Sequence, residues 1–343
     1  MISLNKKSGG RPIKLGENWQ RRFAGRKRRE RRREIKAMLR YTAKRFLSMV
    51  VTLFLVATVT FFLMHAIPGQ PFEVTRETPE SVKVALEAKY GLDKPLFEQY
   101  LIYMNNLLHG DFGVSMKYKG QTVVGEVASG MPISAIIGFG GVLIGCLIGS
   151  VLGAVAALKN KGPVDYIVII LAILGVSVPN FVFGSLIQRY FAVEWQLFPI
   201  QGWKGWIYAV LPIMAAAFTN IAYYARMLRT SMLDTMGQDY IYTAKSKGLN
   251  QGEIVRKHML RNSFLPLVTS LGPMCAGVLT GNFVIEKIFN VPGIGQSMIL
   301  AIQNSDYTMI MGLTIIFAFI SVVCYFIVDI VYGLVDPRIR IAG

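Results

Sequence analysis

The sequence predicts an all-α polytopic membrane protein with six transmembrane helices and both termini in the cytoplasm. Three observations carry that expectation. Of 343 residues, 53% are hydrophobic and only 17% charged, well below the quarter usual in soluble domains. Six stretches contain no Asp, Glu, Lys or Arg: 46–72, 127–158, 166–188, 205–225, 262–285 and 307–328. Each reaches the length of about 20 helical residues that a hydrocarbon core requires. With the N-terminus inside, 28 Lys and Arg fall on the cytoplasmic side and 9 outside, the asymmetry that orients membrane helices. The same composition excludes a disordered chain, a secreted disulfide scaffold and an ordinary soluble enzyme.

The elements follow in order. Residues 1–37 form a basic cytoplasmic tail, and the net charge of +17 is concentrated around it: residues 1–45 hold 17 Lys and Arg against 3 acids. Such a block repels itself and reads as disordered. Its role is a topogenic anchor or a contact with anionic membrane lipid. Nucleic acid is not expected, because no aromatic stacking platform accompanies the charge. The first transmembrane helix covers 38–66, its apolar part 46–66 being too long for a signal peptide and lacking a small-residue cleavage site. The external segment 67–126 contains a short helix at 80–90, an aromatic stretch at 97–108 and turn signals at His109-Gly110-Asp111-Phe112-Gly113. Its 6 basic and 8 acidic residues make no steering field, so it serves either to receive a partner or to cap the bundle. A five-helix core occupies 127–335, with spans at 133–157 (opened by Pro132), 166–188, 206–225, 263–285 and 308–330, followed by a cytoplasmic C-terminus at 336–343.

Within the spans most signals describe packing. Gly141, Gly145, Gly149 and Gly153 recur every four residues, on one helix face, where bare backbone lets a neighbour approach. Pro179, Pro212 and Pro273 interrupt the third, fourth and fifth spans; such kinks either permit rocking or are static bends. Cys146, Cys275 and Cys324 sit in apolar runs without a CxxC pattern and read as small packing residues. No ionisable group lies near the centre of a span, which disfavours an ion-coupled secondary transporter. The candidate pathway-lining residues are Asn180, Gln188, Thr219, Asn220, Thr280 and Asn282, although such residues also hydrogen-bond between helices. No catalytic, cofactor-binding or metal constellation is present. The three histidines lie on different segments, and no Gly-Lys pair exists to form a phosphate-binding GxxxxGK[ST] loop.

The internal segment 226–261 is far longer than a connector needs and carries 7 basic and 3 acidic residues. Fair helical propensity on both sides of Gly248 predicts a helix, a glycine turn and a second helix, a rigid knob for a cytosolic partner. The segment Tyr242-Thr243-Ala244-(x3)-Gly248, with Arg256-Lys257-His258-Met259-Leu260 and Asn262, resembles the EAA loop of ABC importer permeases of the peptide/nickel branch. Tyr242-Thr243 stands where the general pattern has Glu-Ala, and Arg261 where many members have proline. Further likeness to oligopeptide permease B subunits lies in Leu108-His109-Gly110-Asp111-Phe112-Gly113, Val284-Ile285-Glu286, Val291-Pro292-Gly293-Ile294-Gly295-Gln296, Asp306-Tyr307 and Asp336-Pro337-Arg338. It covers about residues 38–340.

The resemblance implies a type I ABC importer permease fold, one N-terminal helix preceding a five-helix core. It also implies a homologous second permease, two ATP-binding subunits that hold the ATP and Mg, and an extracytoplasmic peptide-binding protein. The implied function is import of oligopeptides by alternating access, with dipeptides, nickel or another small solute as alternatives. Coupling to the ATPases would run through Tyr242, Thr243, Ala244, Lys245, Lys247, Gly248, Arg256, His258 and Asn262. Ala244 and Gly248 would permit close approach; Lys245, Lys247 and Arg256 would make polar contacts, or are simply positive-inside residues.

Overall fold

In a computed structural model the described residues are 15–66, 84, 94–118, 120–278 and 281–335. Among them every regular element is a helix, and strand-like pairing is limited to the bridge between Val114 and Thr122. Helix α1 runs Leu15–Ala66, with the apolar section Met38–Ala66 as its membrane-length part. The expected disorder of 1–37 therefore does not extend over 15–37, whose backbone is helical. Arg, Lys and Glu dominate that stretch and are strong helix formers. The predicted helix at 80–90, Val84 apart, and the terminus 336–343 lie outside the described residues. The aromatic stretch near 97–108 is helix α2, Leu96–Leu108.

Helix α3, Val123–Leu158, starts nine residues before Pro132, which lies inside it instead of opening it. Its start is set by Thr122, whose hydroxyl accepts a 3.0 Å bond from the Gly125 amide, a side-chain cap of the kind that ends a helix cleanly. The third predicted span is two helices: α4, Pro163–Ser177, and α5, Asn180–Ile187, which continues as a π-helical segment Gln188–Glu194. Their axes bend by 101°. Proline removes the amide at position 179 and pushes Val178 into extended backbone, φ −82° and ψ 122°. Helix α6, Ile207–Met236, instead continues through Pro212.

The connector after α6 carries α7, Asp239–Ser246, then α8, Gln251–Ile254, a π-helical turn Val255–Leu260 and the turn Arg261–Ser263. Helix α9, Leu265–Val278, contains Pro273. The fifth predicted span, 263–285, is thus interrupted: Gly281 has φ +87°, a left-handed turn favoured by glycine. The chain then re-forms α10, Phe283–Ile288, and α11, Ile294–Gln303, before α12, Tyr307–Val335. By length and apolarity there are, among the described residues, four continuous spans and one bent pair; the six expected spans do not appear there as six unbroken helices because the chain breaks at Pro179 and at Gly281.

Two units are distinguished, residues 1–50 with 329–343, and residues 51–328. In the first, Arg45 pairs with Asp329 at 3.0 Å and lies over the Tyr41 ring. In the second, α3 and α6 pack along the glycine stripe. A Cβ at Gly149 would lie 2.6 Å from the Ile221 carbonyl oxygen and 2.8 Å from the Tyr224 Cβ, so the packing role expected of the stripe is what the geometry requires. Leu143, Leu147 and Val151 on α3 are each at least 60% exposed, an apolar stripe suited to lipid or a neighbouring helix. Asp165, buried at the start of α4, accepts two bonds from Arg229 of α6, at 2.5 and 2.8 Å, and a third from the Lys161 amide at 2.9 Å.

Candidate functional site

The connector 237–264 folds as a knob anchored to the ends of α6 and α9. Ile241 and Ala244 of α7, with Ile254 and Met259, are buried in one apolar cluster with Tyr224, Leu228, Met232 and Leu267. Polar ties complete the anchor: the Ser263 hydroxyl donates to Thr235 Oγ1 at 2.9 Å and the Asn262 amide to the Tyr240 hydroxyl at 3.0 Å. The helix–glycine–helix form expected from the sequence is present, with Gly248 at φ +79° and its amide bonded to the Lys245 carbonyl at 2.9 Å. Asn250 caps the second helix through a 2.8 Å bond from the Glu253 amide. Lys257 reaches Glu253 at 2.6 Å, and this hydrogen bond holds the Glu253 carboxyl below the usual carboxylate range.

The knob separates the predicted residues by face. Tyr242, Thr243, Lys245, Lys247, Gly248, Arg256 and Asn262 are exposed, and His258 is half-buried. Lys245 lies 5.7 Å from the centre of the Tyr242 ring. Ala244 is only 4% exposed. Its small side chain serves the packing of α7 on α6, because the 3.6-residue period places it on the same face as Ile241. At Gly248 a Cβ would meet nothing within 4 Å, so the approach of another surface there is open.

A second feature is a cavity of 440 Å³ bounded by α3, the 176–180 bend, α6, α9 and Asn282. It gathers Asn180, Thr219, Asn220 and Asn282, four of the six polar residues singled out in the sequence. Gln188 is elsewhere: its amide donates to the Ile200 and Ile288 carbonyls at 2.9 and 3.0 Å, joining the π-helical segment to α10. Thr280 lies outside the described residues.

Sequence reasoning assigned no role to Glu286, which is fully buried. Its Oε1 accepts from the Asn282 amide at 3.0 Å, and its Oε2 from the Gly295 and Gln296 amides at 2.9 and 3.1 Å. The carboxylate therefore sits at the start of α11 and closes the 281–296 segment on itself, where the aligned amides favour negative charge. Ser134 of α3 accepts from the neighbouring Ile294 amide at 3.0 Å, which fastens that segment to the cavity's wall helix. The available signal was a lone acid just after the uncharged run 262–285, with Gly293 and Gly295 close behind.

Known proteins resemble this chain in sequence. A family model described as "Binding-protein-dependent transport system inner membrane component" matches residues 141–341, and its N-terminal companion matches 38–124. The chain is 44% identical over 304 residues to the dipeptide transport system permease protein DppB of Bacillus subtilis, covering 89% of this chain and 99% of that protein. It is 39% identical over 305 residues to the oligopeptide transport system permease protein OppB of Haemophilus influenzae and 38% to that of Escherichia coli K12, in each case 88% of this chain and 100% of the relative. With matches that together run from residue 38 to 341 and relatives covered end to end, this chain belongs to the family of inner membrane components of binding-protein-dependent transport systems.

Proposed function

We propose that this chain is a translocation subunit of an ATP-driven importer that carries peptides, dipeptides and oligopeptides alike, across the cytoplasmic membrane. The observation that carries the reading is that α6 and α9 form walls of the polar cavity and also anchor the exposed knob. A push on the knob is thereby delivered to the cavity through packed helices, which switch between discrete arrangements and do not deform smoothly. The names of the relatives supply the peptide class.

On this reading the bent pair α4–α5 counts as the third span and α9 with α10 as the fifth. Six crossings result, with both termini and the knob in the cytoplasm. The chain works beside a homologous second permease, two ATP-binding subunits that hold ATP and Mg, and an extracytoplasmic peptide-binding protein. ATP binding draws the ATPases together around the knobs and opens the pathway outward; hydrolysis returns it. Tyr242, Thr243, Lys245, Lys247, Gly248 and Arg256 form the coupling face.

The test is Gly248→Asp, with Gly248→Asn as the control for the turn, since Asn tolerates positive φ better than most residues. The aspartate variant is expected to insert and assemble but to lose ATP-dependent peptide uptake at least about tenfold, a change of 1.4 kcal/mol in coupling, while the asparagine variant retains it. Full uptake by Gly248→Asp in membranes with normal subunit content would remove the coupling role from this face.

A further inference from the structure

The 440 Å³ cavity is polar without being charged. None of its described lining residues is Asp, Glu, Lys, Arg or His. Its polar groups are three carboxamides and one hydroxyl, all on half-buried residues. The side chains of Asn180, Thr219 and Asn282 bond to no other described residue, and Asn220 commits one amide hydrogen to the Ala216 carbonyl at 3.1 Å. The remaining lining is small or aliphatic: Gly138, Val142 and Ala216 on one side, Val278 on another.

A carboxamide offers two N–H donors and a carbonyl acceptor, so it can pair with both the C=O and the N–H of a peptide group. Three carboxamides and a hydroxyl around an otherwise apolar wall match a solute whose constant feature is a main-chain amide and whose side chains vary. A fixed charge would act differently. It would favour substrates of opposite charge and disfavour those of like charge, and a conducting site must bind weakly enough to release.

We infer that this cavity is a charge-blind subsite for the peptide main chain, in which Asn180, Thr219, Asn220 and Asn282 exchange hydrogen bonds with backbone amides and side chains of either sign pass without a fixed counter-charge. The inference rests on the peptide-importer reading and adds a specificity to it: this cavity does not discriminate substrates by side-chain charge.

The experiment uses the complete transporter reconstituted in vesicles, with binding protein saturated by Ala-Ala-Ala, Ala-Lys-Ala or Ala-Glu-Ala. The wild type is expected to import the lysine and glutamate peptides at initial rates within about threefold of each other, and Asn220→Asp to raise that lysine-to-glutamate ratio about tenfold, Asn220→Lys lowering it by a similar factor. Asn180→Asp repeats the measurement from the bent α4–α5 side of the cavity, should a variant at 220 fail to accumulate. A wild-type ratio beyond tenfold in either direction overturns the inference, as does an Asn220→Asp or Asn180→Asp ratio equal to that of the wild type. Absence of uptake of all three peptides by the wild type defeats the importer reading itself and this inference with it, whereas a wild-type ratio beyond tenfold defeats the inference alone.

Discussion

Glu286 illustrates how one side chain organises a segment that has little regular structure of its own. Three amides converge on its carboxylate, from Asn282, Gly295 and Gln296. Asn282 lines the cavity, so the same carboxylate that caps α11 also positions a cavity wall. Gly295 leaves the room this requires, since a Cβ there would lie 2.9 Å from Glu286 Oε2 and 2.9 Å from the Phe283 Cα. Replacing Glu286 with Ala strands three donors, two of them buried, and a buried donor left unsatisfied costs about 1–3 kcal/mol. Glu286→Gln keeps the volume but turns an NH₂ group toward amides that are themselves donors. Glu286→Ala is expected to lower the thermal unfolding midpoint of the purified chain in detergent by several degrees, and Glu286→Gln by less. Protease cleavage within 281–296 should rise in the same order. An unchanged midpoint and cleavage pattern in Glu286→Ala would show that the segment is held by its other contacts, such as the Ile294–Ser134 bond.

At the scale of elements, the glycine stripe on α3 sets how close α6 comes. The prediction contrasts two positions two residues apart. Gly149→Leu drives a side chain into the Ile221 carbonyl and the Tyr224 Cβ, and because backbone cannot shift as a flexible side chain does, it should destabilise the chain by at least about 1–3 kcal/mol. Leu147→Ala, at a residue 60% exposed on the outer face, should stay within about 0.5 kcal/mol of the native chain. Thermal unfolding in detergent measures both, and a Gly149→Leu chain as stable as Leu147→Ala would refute the close-packing account. The same elements show what was legible beforehand. Long uncharged runs located α1, α3, α6 and α12, because burying a helix in lipid is a composition requirement that any window can read. Pro179 was legible as an interruption of the third span, but neither the size of its bend nor the break at Gly281 was, because a short turn leaves the hydropathy of its span unchanged. Likewise the knob's helix–glycine–helix form was readable from propensity and Gly248. Which of its residues point outward was not, since Ala244 is turned inward by tertiary partners, Leu228 and Met232 among them, that lie elsewhere in the chain.

For the whole molecule, charge divides the chain more sharply than hydropathy does. Residues 1–45 hold 17 Lys and Arg against 3 acids, while the rest of the chain holds 20 against 17. Orientation in the membrane depends on basic residues within roughly 15–20 positions of a span's end. Lys36, Arg40, Lys44 and Arg45 already satisfy that condition for the apolar part of the first span, 46–66, so the denser cluster further upstream is redundant for topology. Deleting residues 1–33 removes 13 of 37 Lys and Arg and 2 of 20 acids, leaving a net charge of +6, yet it leaves those four in place. It also spares the Arg45–Asp329 ion pair, the apolar helix Met38–Ala66, the knob and the cavity. On the proposed reading the truncated chain therefore inserts with the same orientation and supports peptide uptake within about twofold of the full-length chain, a difference under 0.5 kcal/mol. The measurement is uptake by cells carrying the truncated chain, with a reporter at residue 343 recording the side on which the C-terminus lies. Inverted reporters would mean that the distant cluster sets topology. Normal orientation with uptake lost would assign the cluster a direct part in transport, through attraction to anionic lipid worth on the order of 1 kcal/mol for each Lys or Arg at the surface. Raising the salt concentration would then weaken uptake by the full-length chain as well, because that attraction is screened within a Debye length of about 8–10 Å.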